Sequence, residues 1–197
     1  MEKINLFGAS GHAKVIKDII DATGDSVGCL YDDAPHCSDI FGRPVLKASD
    51  NLVEGPLIIA IGSNKTRKLI SERYSLEYSS VIHPKAIVSP TATLGKGCVV
   101  MQGAIVQSDA NIGNHCIINT GASVDHECII GDYVHISPHA TLCGNVSIGE
   151  GTWIGAGSTI IPGIRIGKWC LIGAGSVVVR DIPDNTLAFG NPCKCRN

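Results

Sequence analysis

His126 stands between two carboxylates, in Asp125-His126-Glu127, and no other stretch of the chain is better suited to moving a proton. An imidazole titrates at about pH 6.5, so it can accept a proton under neutral conditions and return it. A carboxylate beside it favours the imidazolium formed on the way. Neighbours on an extended strand point to opposite faces, so spacing leaves open whether Asp125 or Glu127 reaches the ring. The matching chemistry is deprotonation of a nucleophile that attacks an acyl carbon, and that step also needs a donor for the developing oxyanion. The backbone N–H of Gly144, 18 residues after His126, is a candidate donor. The plainer alternative is a solvated histidine on a coil.

A repeat of six must position these residues. Ile82, Val88, Leu94 and Val100 open a series of Ile, Leu or Val at every sixth position that runs unbroken to Val178. If half of residues are apolar, chance gives such a run about once in 10⁵. A second series, four residues after each of the first, runs from Ala86 to Ile182 and is mostly small. Neither a helix nor a flat strand has this period, but a triangular prism with six residues per side does. The aliphatic series then points inward and the small one fills the corners. Coils stack at sheet spacing, about 4.8 Å, burying a ladder of aliphatics. Each coil takes 18 residues, which predicts between five and six coils and puts Gly144 one coil from His126 on the same face. Gly95, Gly113, Gly131, Gly149, Gly155, Gly167 and Gly173 follow inward positions, where a Cβ is least welcome. Cys98, Cys116, Cys128 and Cys170 fall in the small series, which makes them small buried hydrophobes. Cys193 and Cys195 have no second pair nearby to build a zinc site.

The first 80 residues read as alternating strands and helices. A strand at Ile4–Phe7 ends in Gly8-Ala9-Ser10-Gly11-His12, and a helix from about Ala13 to Ala22 closes at Thr23-Gly24. Val27–Tyr31 is a second strand, ending at Asp32-Asp33. Leu57–Ile61 is a third, followed by Gly62-Ser63-Asn64 and a helix through Arg73; a last strand near Tyr78–Ile82 leads into the prism. Open α/β sheets bind ligands at strand C-terminal ends. Gly8-x-x-Gly11 at a helix N-terminus suits a pyrophosphate, although a structural turn reads almost the same. Asp32 or Asp33 could hold a ribose or base. The domain is too short for a dinucleotide, so a single nucleotide such as a nucleotide sugar fits better.

The formal net charge is -2 and 17% of residues are charged, which leaves no basic footprint for nucleic acid. No apolar run approaches membrane-spanning length, and the N-terminus shows no leader. With 9 cysteines and no signal peptide, a reducing, cytoplasmic location is expected.

Taken together, Gly8-Ala-Ser-Gly-His12, Tyr31-Asp32-Asp33, Ala60-Ile-Gly62-Ser-Asn64, His83-Pro84, the stretch from Asn119 to His135 and Gly144-Asn145 resemble the PglD/NeuD-type sugar acetyltransferases. The resemblance covers nearly the whole chain. It implies an α/β, Rossmann-like nucleotide-sugar domain over residues 1–80 and a left-handed parallel β-helix of hexapeptide repeats over 81–197 with a C-terminal tail. The handedness comes from the resemblance, since period alone does not give it. The implied activity is acetyl-CoA-dependent N-acetylation of a nucleotide-linked 4-amino-dideoxy sugar, for surface-glycan or glycoprotein sugar biosynthesis. On that match His126 is the general base and Glu127 the carboxylate that supports it. His135 and Gly144 would contact the acetyl thioester, with Gly155, Ala156 and Ala174 along the CoA arm. Ser10, Gly11, His12, Asp32, Asp33, Gly62, Lys65 and Asn119 would hold the nucleotide sugar. No metal is expected, and the assembly implied is a homotrimer with sites between subunits. Two departures cloud the substrate: Cys193 stands where relatives often have Ala, and Lys65 occupies a variable contact position. A sialic-acid-type O-acetyltransferase is the nearest alternative. A γ-carbonic-anhydrase-like metal protein would enlist His126, His135 and His139, against the H-x-x-x-x-H spacing of that class. A non-catalytic trimeric scaffold would have no task for His126 and Glu127.

Overall fold

The computed structural model describes residues 2–50 and 53–196. Strands β1 (Lys3–Phe7), β2 (Ser26–Asp32), β3 (Asp39–Ile40), β4 (Arg43–Lys47) and β5 (Leu57–Ile59) pair in the order β3-β4-β2-β1-β5. All neighbours are parallel except β3 and β4, which form an antiparallel hairpin. Helix α1 (Gly11–Thr23) buries Ala13, Ile16, Ile19 and Ile20, spaced three and four apart along one stripe. It stops at Gly24, whose left-handed φ of 86° returns its N–H to the last turn. Helix α2 (Asn64–Arg73) starts at Ser63, whose hydroxyl accepts the Thr66 N–H.

Two expectations change. The β3–β4 hairpin was not legible, because Pro44 and mostly exposed flanking residues hide the alternation of an edge strand. The expected strand near Tyr78–Ile82 is divided between two structures. Tyr78 bridges to Leu57, whereas Val81–Ile82 is the first rung of the prism and pairs with Val99–Val100. The main chain changes partner between Ser79, which donates to Leu57, and Val81, which donates to Cys98.

From Val81 onward, two-residue rungs stack into three parallel faces. The first face begins at Val81–Ile82, the second at Ile87–Val88 and the third at Thr93–Leu94. Rungs pair 18 residues apart, for instance Ile117 with His135 and Ser123 with Thr141. The inward series is buried from Val100 to Val178, while Ile82 is 38% exposed and Val88 and Leu94 only half-buried. Those three form the end coil, with no coil beneath to cover them. A Cβ on Gly113 or Gly149 would stand 2.7 Å and 2.6 Å from main-chain atoms of the next coil, as the glycine series required.

The buried cysteines do more than fill space. Cys98, Cys116, Cys128 and Cys170 donate their thiols to the carbonyls of Gly113, Gly131, Cys143 and Pro183, at 3.0, 3.1, 3.3 and 3.0 Å. The hydroxyls of Thr152 and Ser158 treat Gly167 and Gly173 in the same way. The small series is thus also a ladder of donors for corner carbonyls, which a purely apolar reading misses.

A third series appears only in the backbone. Three residues after each inward position, from Gly97 to Gly175, φ lies between 54° and 76°. Half of these corner residues are glycine; the others include His115, Glu127, Tyr133 and Trp169.

The front sheet docks on the first face, where Val99, Met101 and Ile117 join Leu6, Ile16, Ile20 and Ile58 in one core. Arg67 locks this joint. It is 1% exposed, and it donates to the Ile61 and Gly62 carbonyls and the Asn64 side chain of its own domain. It also donates to the His115 and Tyr133 carbonyls on two successive coils, at 3.0 and 2.9 Å. Asn64 adds a bond to the Gly151 carbonyl on the coil after that. Among the described residues no helix is long and apolar enough to cross a membrane.

Candidate active site

At the corner between the second and third faces the structure answers which carboxylate reaches the ring. Asp125 Oδ1 accepts the backbone N–H of His126 at 2.8 Å, while Glu127 Oε2 lies 3.0 Å from His126 Nδ1. Glu127 can turn back on its neighbour because it is a corner residue with φ 58°, not a strand residue. The Cε1–Nε2 edge of the ring rests against Gly144, where an added Cβ would be 2.5 Å from both atoms. Asp125, His126, Cys143, Gly144, Asn145, Pro162 and Gly163 line a cleft of about 500 Å³.

The Gly144 N–H has no protein partner among the described residues. At the same place on two other coils the N–H groups of Asn114 and Lys168 are taken by Asp132 and Asp184, one coil on, whereas those of Asp132 and Glu150, like that of Gly144, have no protein partner among the described residues. One coil beyond Gly144 stands Pro162, with no acceptor side chain to offer. An imidazole and an unpaired backbone N–H therefore belong to residues that line one cleft, an arrangement that suits attack on a carbonyl group.

The other expected residues gather elsewhere. Asn119, Gly155, Ala156 and Ala174 lie at the corner between the first and second faces, with Gly155 so close to the next coil that a Cβ would meet Ala174 N at 2.5 Å. His135 is on the first face, 6% exposed, with Nε2 3.0 Å from Asn119 Nδ2. Within one chain the second face separates this group from His126 and Gly144. Trp153, which sequence reasoning missed, stacks on the His135 ring with centroids 4.9 Å apart and donates its indole N–H to Ser137. The signal was present: Trp153 is 18 residues after His135, hence its neighbour on the same face.

In the front domain, both Asp32 oxygens accept loop N–H groups, those of Ala9 and Ala34, so this carboxylate shapes the crevice at the end of β1. Asp33 is engaged by both of its oxygens with Arg73. Ser10 and Gly11 are exposed at the start of α1. Gly62 gives its carbonyl to Arg67, and Lys65 borders a cleft of about 290 Å³ with Trp153 and Trp169. Burial, reinforced by the Arg67 guanidinium, lowers His12 to about 4, His115 to about 4 and His135 to about 3. His12 and His115 each have a buried ring nitrogen without a hydrogen-bond partner among the described residues, and the downward shifts make all three rings neutral imidazoles at physiological pH.

Residues 3–74 match the PglD N-terminal domain, and residues 109–144 and 145–180 match the bacterial transferase hexapeptide repeat. PerB from Caulobacter crescentus, in complex with CoA and GDP-perosamine, is 38% identical with a TM-score of 0.91, the match covering 100% of this chain and 98% of that one. The acetyltransferase domain of PglB from Neisseria gonorrhoeae, in complex with acetyl coenzyme A, is 36% identical with a TM-score of 0.90 over 98% of each chain. UDP-N-acetylbacillosamine N-acetyltransferase from Bacillus subtilis is 43% identical over 108 residues, 49% of this chain and 50% of that protein. The prism and its front sheet are those of a left-handed β-helix acyltransferase with an α/β N-terminal domain. The chain belongs to the PglD-type sugar acetyltransferases.

Proposed function

We propose that this chain transfers the acetyl group of acetyl-CoA to the amino group of a nucleotide-linked 4-amino-dideoxy sugar. The observation that carries the proposal is the meeting of Glu127, His126 and the free Gly144 N–H at one cleft. The amine attacks the thioester carbon while His126 Nε2 takes its proton, and Glu127 steadies the imidazolium through Nδ1. The Gly144 N–H donates to the oxyanion. Collapse expels the CoA thiolate, which recovers the proton from His126; the products are the amide and free CoA. Support for the co-substrate comes from the relatives solved with CoA or acetyl coenzyme A, and for the acceptor from the GDP-perosamine bound to PerB.

His135, Asn119, Gly155, Ala156 and Ala174 belong to the same reading only if a neighbouring chain brings its His126 corner to them. Three chains in a closed ring give each corner one partner, so the proposed enzyme is a homotrimer with its sites between subunits. Buried free thiols agree with a cytoplasmic setting. Free-thiol release from acetyl-CoA, measured with UDP-, GDP- and dTDP-linked 4-amino sugars and with hydroxyl counterparts, tests the activity. Release with an amino sugar and not with its hydroxyl counterpart is expected. Release only with the hydroxyl sugar would make it an O-acetyltransferase, and none with any acceptor would refute the proposal.

A further inference from the structure

The donor ladder of the small series reaches the catalytic corner at one point. Cys128, fully buried and two residues after His126, donates its thiol to the Cys143 carbonyl at 3.3 Å. That carbonyl and the Gly144 N–H belong to one planar trans peptide, so they point in opposite directions. A carbonyl drawn inward to Cys128 sends the N–H outward, into the cleft beside His126. We infer that Cys128 is a positioning residue for acyl transfer: by holding the Cys143 carbonyl, its thiol aims the Gly144 N–H at the oxyanion.

Two further observations support this. At several equivalent turns the carbonyl after the inward residue is held by the main chain: Asn119, Ser137, Gly149 and Gly155 accept the N–H three residues on. Cys143 receives no such bond from Val146, and the Cys128 thiol is its partner among the described residues. Burial also pushes the Cys128 thiol up, so it keeps the proton it must donate. Gly144 has no side chain through which its peptide could be held, and small errors in donor direction are costly in rate.

The inference rests on the acyl-transfer reading, and the variants separate the two. Cys128→Val removes the donor with a residue this series already carries at Val134 and Val146. Cys128→Ala, as at Ala122 and Ala140, serves if the valine does not fold. Cys128→Ser restores a donor of the kind Thr152 and Ser158 supply. Cys116→Val makes the same change at a corner away from His126 and reports the cost to stability alone.

For Cys128→Val we expect kcat to fall about five- to tenfold, the factor one net hydrogen bond is worth. KM for both substrates should stay within about twofold. Thermal stability should drop as in Cys116→Val, which keeps its turnover, and Cys128→Ser should recover most of kcat. The Gly144 amide resonance should move in Cys128→Val and return in Cys128→Ser. Unchanged kcat in Cys128→Val, an equal loss in Cys116→Val, or no recovery with serine would overturn the role. Full turnover by His126→Ala would instead remove the acyl-transfer reading beneath it.

Discussion

His126 uses its two ring nitrogens for different purposes. Nδ1 is committed to Glu127, which leaves the Nε2 edge facing Gly144 and the cleft. General-base help is worth about 10² to 10⁴ in rate, so His126→Ala should lose kcat in that range while still binding CoA; near-normal turnover at pH 7 would show the base to be another group. Gly144→Ala should also be inactive or nearly so, because its methyl would stand 2.5 Å from Nε2 and force the ring aside. Ground-state CoA affinity, measured by calorimetry, should fall less than kcat.

In the proposed mechanism Glu127 carries a conflict between fold and chemistry. A left-handed backbone costs a non-glycine residue roughly 1 kcal/mol, and half of its counterparts at other corners are glycine. Glu127→Gly should therefore raise the melting temperature while lowering kcat, since the imidazolium loses its carboxylate. A variant that is less stable than the parent would show that Glu127 does not strain its corner.

Among the elements, α2 has the most demanding role, because it brings a guanidinium into a joint where no carboxylate among the described residues is its hydrogen-bond partner. Losing Arg67 strands several carbonyls at once, each unsatisfied buried acceptor costing about 1–3 kcal/mol. Arg67→Met should therefore be severely destabilised in a denaturant melt. Burial, reinforced by the same charge, keeps His12, His115 and His135 neutral. In the unfolded chain those imidazoles take up protons below about pH 6.5, but in the fold only near 4, 4 and 3. Between those limits the unfolded state holds more protons, so stability must fall as pH drops from about 6.5 toward 4. With three groups the slope approaches about 4 kcal/mol per pH unit as an upper bound. Urea midpoints at pH 7 and 5 should differ strongly, and equal midpoints would mean that these rings take up protons in the fold as readily as in the unfolded chain.

How much of this could be read beforehand varied with the element. The period of six exposed the prism because every inward position repeats the same demand, and the strand-to-helix punctuation exposed most of the front sheet. The β3–β4 hairpin escaped because an edge strand need not alternate. The left-handed corner series escaped because non-glycine residues occupy half of it, and with it went the reason Glu127, not Asp125, reaches the ring. His126 and Gly144 were legible together since 18 residues make one coil. That His135 lies across a face from them follows from the same period, since nine residues make half a coil, but a shared motif groups the three residues without regard to side.

For the whole molecule, the separation of the two residue groups is the argument for assembly. Light scattering should give three times the chain mass of 20.6 kDa, and mixing His126→Ala chains with chains altered at Asn119 should restore some activity through hybrid sites. A stable, active monomer at micromolar concentration would exclude sites shared between chains.

Arg67 and Asn64 grip the prism by its main chain: the partners there are the carbonyls of His115, Tyr133 and Gly151, on three consecutive coils. Carbonyls are common to every residue, so this part of the mount does not depend on which side chains those coils display. Coil side chains can drift toward a new acceptor sugar without loosening the bracket. Conversely, a foreign prism of the same pitch offers the bracket the same three oxygens.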